Sequence, residues 1–296
     1  MKIATASYPL DVLPSWAAYE DKLTAWVAEA VEAGAQLLVF PEYGAMELAT
    51  LAGPDVAGDL EASLFAVADR LEEADALHAH LASQFSVHIL AASAPATRDL
   101  PGGIDRPVNR ARFFAPGGAA GWQDKQIMTR FEAETWNVAP GGPLRLFDTS
   151  LGKIGVLICY DCEFPLLGHA LSDADILLIP SVTEALSGYS RVRIGAQARA
   201  LENQCVTVMS SVVGAAPWSE AVDMSVGAGG IYGPPDTGFP DTGVIAQGAL
   251  NEPGWVYGDV DLSAIAAVRA DGVVLNRRDW ALQDGRADPV TVVTLA

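Results

Sequence analysis

The 296-residue chain is half apolar and carries 18 basic against 37 acidic residues, a formal charge of -19. That length and composition bury a large core and exclude a disordered or fibrous protein. The acidity repels phosphate backbones and acidic membrane surfaces, so no nucleic acid and no membrane is expected as a partner.

The N-terminal Met1-Lys2-Ile3-Ala4-Thr5-Ala6 reads as a first strand. After Pro14, Ser15 caps a predicted helix whose Trp16, Tyr19, Leu23, Trp26, Val27, Ala30 and Val31 share one face, ending at Gly34. Gln36 to Phe40 is a short apolar strand stopped by Pro41. A helix from about Leu60 to Gln84, open to a break, precedes a buried strand at Val87 to Ala92. Further strands are predicted at Asn109 to Ala115, Leu144 to Asp148, Ile154 to Ile158, Ile176 to Pro180 and Val206 to Ser211. Helices are predicted at Glu163 to Ser172 and at Ser190 to Asn203, the second with Ile194, Ala198 and Leu201 on one stripe. The alternation indicates an α/β protein with helices covering large sheets. From Gly214 to Pro253 the chain is rich in Gly and Pro, which reads as loops and tight turns. No linker divides the chain, so residues 1–296 read as one domain with a loop-rich C-terminal third.

Cys159, Cys162 and Cys205 are too few and odd in number for a disulfide scaffold. With no signal-like apolar block and no span of about 18 apolar residues, a soluble, cytoplasmic protein is expected. Cys159 ends the apolar run Ile154-Gly155-Val156-Leu157-Ile158 and starts a turn, where a thiol leaves the core and meets backbone N–H groups. The Cys159-x-x-Cys162 spacing admits a zinc or redox reading. Zinc lacks ligands, since only Cys205 and four histidines remain, with His78 and His80 expected on an exposed helix face. A Trp-Cys-Gly-Pro-like redox turn is absent. A histidine base is also poorly supplied, because His169 lies two to three turns along the following helix.

Other groups answer better. Phe40-Pro41-Glu42 puts a carboxylate at a strand end, and open α/β sheets gather strand C-termini into one site. Asp124-Lys125 offers an ammonium that favours a thiolate and holds an oxyanion.

The order Glu42, Lys125, Cys159 resembles the Glu-Lys-Cys triad of the nitrilase superfamily of carbon–nitrogen hydrolases. The likeness rests on Phe40-Pro41-Glu42, Asp124-Lys125, Gly155 to Asp161 with Phe164-Pro165, and Ala198 to Gln204. It implies a four-layer α-β-β-α sandwich that pairs through its outer helices as a homodimer or higher homo-oligomer. It also implies hydrolysis of a non-peptide carbon–nitrogen bond through a thioester on Cys159, with no metal and no cofactor. The family's second glutamate is placed at Glu134, in preference to Glu132. Lys125-Gln126-Ile127-Met128 departs from the family's frequent Lys-x-His-Leu, and Met128 to Glu132 looks like a branch some of whose members are fused to an N-acetyltransferase domain. Tyr160-Asp161 after the cysteine is the amidase-like version, so a small-molecule amide is the expected substrate. N-carbamoyl or nitrile hydrolysis, acyl transfer and an inactive binding protein are the alternatives. Tyr160, through its backbone N–H, is the oxyanion partner, and Tyr43, Glu184, Tyr189 and Arg191 are candidate substrate contacts on loops after strands. Arg199 and Glu202 read as a structural ion pair.

Overall fold

Short apolar runs separated by helices become one continuous sheet in the computed structural model of the chain, which describes residues 1–286 and 289–295. The chain runs β1 (Lys2–Pro9), α1 (Trp16–Glu32), β2 (Leu37–Val39), α2 (Pro54–Gly58), α3 (Leu60–Ala68), α4 (Leu71–Phe85), β3 (His88–Leu90) and β4 (Ala94–Ala96). β5 (Val108–Phe114) and β6 (Ala120–Asp124) form a hairpin, followed by the single turn α5 (Arg130–Glu134), β7 (Leu146–Thr149) and β8 (Gly152–Val156). Next come α6 (Pro165–Ala170), β9 (Ile176–Ser181), α7 (Leu186–Asn203) and β10 (Val206–Ala215). The short strands β11 (Met224–Ser225), β12 (Gly230–Tyr232), β13 (Val244–Gln247) and β14 (Gly254–Asp259) precede α8 (Leu262–Asp271) and α9 (Asn276–Asp279).

The main path of the sheet is β4-β5-β3-β2-β1-β10-β9-β8-β7, with β2, β1, β10, β9 and β8 parallel neighbours. Parallel strands are buried on both faces, which explains their unbroken apolar sequences. Alternate side chains divide between two cores. Ala4, Ala6 and Leu38 face α1, α3 and α4 through Leu23, Val27, Leu64 and Leu81. Ile3, Leu37 and Val39 face inward and share a cluster with Val156, Leu177 and Val208, which also takes in Val192 and Ala196 of α7. Phe113 of β5 stacks on Phe147 of β7, with centroids 5.4 Å apart, although these strands lie near opposite ends of the path. The sheet therefore curls until its halves face each other, with helices on both outer faces as the α-β-β-α layering requires.

Several local expectations change. The long helix breaks at Asp69 and Arg70 into α3 and α4. His78 is buried, not exposed: its Nδ1 lies 2.7 Å from the Ala74 carbonyl and its ring stacks on Phe114, and burial depresses its pKa to about 4. The helix after Cys159 starts only at Pro165, which suits a first helical position because proline has no N–H to donate. α7 begins earlier, at Leu186, and its Ile194 and Leu201 face outward. Its buried face runs from Tyr189 and Val192 through Gly195, Ala196 and Ala200 and takes in Arg199 and Asn203, so the Ile194-Ala198-Leu201 stripe marked the wrong side. A Cβ on Gly195 would lie 2.7 Å from Cys162 Sγ. The Gly-rich stretch after Gly214 holds β11, β12 and β13; at Gly227 a Cβ would come within 2.5 Å of Ser211 Cβ, so close approach of backbones, not turning, demands that glycine. Among the described residues no helix is long and apolar enough to cross a membrane.

Candidate active site

The parallel strands end on one edge, and the residues that follow them leave the sheet there. Glu42 follows β2, Lys125 follows β6 and Cys159 follows β8. All three are buried, and Cys159 is the most open of them at 5 % exposed. Lys125 Nζ donates to Glu42 Oε1 at 2.7 Å and to Glu132 Oε2 at 2.6 Å. The Asn109 amide donates to Glu42 Oε1 at 2.9 Å and, more weakly, to Glu132 Oε1 at 3.4 Å. Ser93 donates to Asn109 Oδ1 at 2.6 Å and accepts the Tyr43 N–H at 2.9 Å, which fixes the amide's orientation. Val182 serves both sides of the site: its N–H donates to Glu42 Oε2 at 3.0 Å, and its carbonyl accepts the Cys159 thiol at 3.7 Å.

Cys159 has φ of 50°, in the left-handed region that a residue with a Cβ adopts at a cost of about 1–3 kcal/mol. It opens a short 3-10 turn, Cys159–Glu163, in which Asp161 N–H is the first to bond back, to Ile158 O at 3.1 Å. The Tyr160 N–H lies ahead of that ladder and is left for another acceptor. Asp161, buried behind the turn, accepts the N–H groups of Gln126 at 3.1 Å and Ile127 at 2.9 Å, tying the lysine loop to the cysteine turn.

Electrostatics separate the roles of the two carboxylates. Burial raises Glu42 above the usual carboxylate range, with the Glu132 charge adding to it and Lys125 opposing. Burial also acts on Glu132, but Lys125 and the N–H and hydroxyl of Thr129 outweigh it and hold that carboxyl low. Burial would depress Lys125, yet the two carboxylates raise it above the ordinary lysine value, so it stays an ammonium. The Cys159 thiol is pushed well up, first by burial and then by the Glu42 charge. At rest the thiol is protonated, with Glu42 as the group able to take its proton.

Glu134, the expected second glutamate, is not in this cluster. It is exposed and pairs with Arg130 at 2.8 Å, while Glu132 occupies the position beside Lys125. The reason is a capping box: Thr129 caps α5 and Glu132, at the third helical position, returns to the Thr129 N–H. That spacing aims Glu132 inward, and two residues later, about 200° round the helix, Glu134 points out. Thr129-x-x-Glu132 was the available sequence signal.

A cleft of about 550 Å³ opens over the cluster, lined by Cys159, Tyr160, Tyr43, Glu184 and Arg191 among others. Tyr43 donates its hydroxyl to Glu132 at 3.0 Å. Arg191 lies on α7, not a loop, and pairs with Glu163 at 3.3 Å. Tyr189 is not part of the lining; it packs in the core as part of α7, where its hydroxyl accepts from Gln247 at 3.3 Å. Asn109, Ser93, Thr129, Trp136 and Val182 were not singled out, because a lone asparagine, serine or apolar residue carries no chemical signal until its partners are known. Cys162 is fully buried, its thiol 3.6 Å from the Val192 carbonyl, so the two cysteines of the motif serve different surroundings. Arg199 pairs with Glu202 at 2.8 Å and donates to the Cys162 carbonyl, a structural role.

A family model described as carbon–nitrogen hydrolase matches residues 3–270. The probable hydrolase YhcX of Bacillus subtilis (strain 168) is 31% identical over 284 residues, 94% of this chain and 53% of that protein, so the chain spans about half of its relative's length. Nit3 of Saccharomyces cerevisiae, a member of branch 10 of the nitrilase superfamily, superposes with a TM-score of 0.69 at 20% identity, covering 91% of this chain and 93% of that one. A variant of the amidase from Nesterenkonia sp. AN1 gives 0.63 at 21% identity, covering 90% and 92%. The chain belongs to the carbon–nitrogen hydrolase family and has the fold of the nitrilase superfamily.

Proposed function

We propose that the protein hydrolyses the carbon–nitrogen bond of a small linear amide through a thioester on Cys159. The observation that carries this reading is a buried ammonium, Lys125, clamped at 2.7 and 2.6 Å between two carboxylates beside a cysteine that lines an open cleft. Glu42 takes the Cys159 proton as sulfur attacks the amide carbon. Lys125 and the Tyr160 N–H hold the resulting oxyanion. As the C–N bond breaks, Glu42 returns the proton to the departing amine, leaving the acyl group on sulfur. Glu42 then takes a proton from water, whose oxygen attacks the thioester, and the collapse frees the carboxylic acid and restores the thiol. Glu132 keeps Lys125 charged and in place, and Asn109 keeps Glu42 aimed at the thiol. A mutant of the amidase from Nesterenkonia sp. AN1, on the same fold, shows covalent addition of the acetamide moiety of fluoroacetamide at its active-site cysteine, which supports a nucleophilic thiol here.

The test is ammonia release across small amides, N-carbamoyl compounds and nitriles, with intact-protein mass to trap the acyl-enzyme. Turnover of amides with a mass adduct on Cys159 supports the reading. Full activity in a Cys159→Ala variant would overturn it.

A further inference from the structure

The mouth of the cleft is built from three separate segments that each bring carboxylates. Glu163 closes the cysteine turn, Glu184 follows β9, and Glu220 with Asp223 lies between β10 and β11. Among the described residues Arg191 is the one cation at this rim, and it is already engaged with Glu163 at 3.3 Å. Glu184, Glu220 and Asp223 are exposed, and none has an ion-pair partner among the described residues. Lys125, the other cation of the cleft lining, lies at its floor between Glu42 and Glu132. A second feature points the same way. Beside Glu42 the rings of Tyr43, Trp136 and Phe131 pack on one another, with centroids 4.7 Å apart for Tyr43 and Trp136 and 5.9 Å for Phe131 and Trp136. Tyr43 and Trp136 are buried by that packing, and Phe131, 39% exposed, is the ring open to the cleft. Aromatic faces attract cations, and a concave site lined by one sign of charge concentrates ions of the other. Among the described residues, a carboxylate entering this cleft would meet no free cation short of the catalytic lysine.

We infer that the cleft selects an amide bearing an ammonium group away from the scissile carbon, held at the Glu184, Glu220 and Asp223 rim against the Phe131 ring. This names the substrate class of the site and rests on the hydrolase reading above. The ammonium reaches the rim while the amide carbon descends to Cys159. A neutral amide lacks that anchor, and an amide carrying a carboxylate is repelled.

The inference is tested by alkylating Cys159 with three haloacetamides of matched size, bearing an ammonium, no charge or a carboxylate. Labelling is followed by mass spectrometry and normalised to each reagent's rate with a small free thiol. The ammonium reagent is expected to label Cys159 about tenfold faster than the neutral one at low salt, with the carboxylate reagent slowest. Added salt compresses these ratios. In the triple variant Glu184→Gln, Glu220→Gln, Asp223→Asn the ammonium-to-neutral ratio falls toward one. Equal rates, or a faster carboxylate reagent, would overturn the inference. Ammonia release from the matching ω-amino, alkyl and ω-carboxy amides separates it from the reading beneath it. Hydrolysis without a preference for the ω-amino amide removes the cation site and leaves the hydrolase. Charge-ordered alkylation with no hydrolysis of any amide removes the hydrolase and leaves the cation site.

Discussion

Glu132 and Lys125 lie seven residues apart in the chain, and their charged atoms meet at 2.6 Å with both side chains buried. A buried ammonium needs its partners, because removing one leaves an uncompensated charge costing about 3–5 kcal/mol. Glu132→Gln is expected to lower kcat/KM by about a hundredfold or more and to lower the melting temperature, since Lys125 loses its anchor and its charge balance together. Glu134→Gln, on the exposed side of the same turn, should change stability by no more than about 0.5 kcal/mol and leave activity as it was. Steady-state kinetics and thermal unfolding of the two variants side by side decide between the two glutamates.

Cys159→Ala keeps a Cβ at the same left-handed backbone position, so it should fold with an unchanged melting temperature. Its turnover should fall by about a thousandfold or more, because the proposed nucleophile is gone. Cys162→Ala should do the reverse, lowering stability through the gap left against α7 with turnover retained. Kinetics and melting curves measured on both report which thiol reacts.

As the base proposed for Cys159, Glu42 would have to be ionised to take the thiol proton, and burial lifts it above the ordinary carboxylate range. The acid limb of the kcat/KM profile should therefore fall at higher pH than a solvated glutamate would give. Asn109→Ala removes a hydrogen bond that favours the charged form, so that limb should move to still higher pH, with kcat reduced about tenfold. A merely structural loss at Asn109 would lower activity without moving the limb.

Burial pushes Asp161 up to about 7, against 3.8 for an ordinary aspartate, despite the N–H groups of Gln126 and Ile127 that oppose it. Between those values the folded chain holds a proton that the unfolded chain has lost. Its contribution to stability is therefore greatest at low pH and declines as pH rises to about 7, by on the order of 4 kcal/mol. An asparagine in its place would keep an oxygen for the two N–H groups while carrying no charge. The variant Asp161→Asn should accordingly show a smaller loss of melting temperature between about pH 5 and pH 8 than the native chain. An unchanged pH dependence would mean that Asp161 titrates elsewhere.

Much of this protein was legible along the chain. Strands such as Ile176–Ser181 announce themselves because a parallel strand buried on both faces must be apolar throughout. Glu42 and Cys159 stood out because each follows a strand-like run, and strand ends of a parallel sheet share one edge, whereas β6, the antiparallel strand before Lys125, was not among the expected strands. Other features depend on contacts between distant segments. His78 and the buried face of α7 were misread because burial depends on what packs opposite, not on hydropathy. Asn109 became meaningful only when the strand order β5-β3-β2 set it between Glu42 and Glu132, 67 and 23 residues away.

The local sequence determined where strands end and which reactive groups stand there, since turn chemistry and apolar runs act over a few residues. The capping box Thr129-x-x-Glu132 is likewise local, whereas the tertiary structure alone decided that Glu132 meets Lys125 and Asn109, that Cys159 and Cys162 part company, and that four carboxylates ring one mouth. The meeting of segments far apart in the chain is set by packing, which no run of residues encodes by itself.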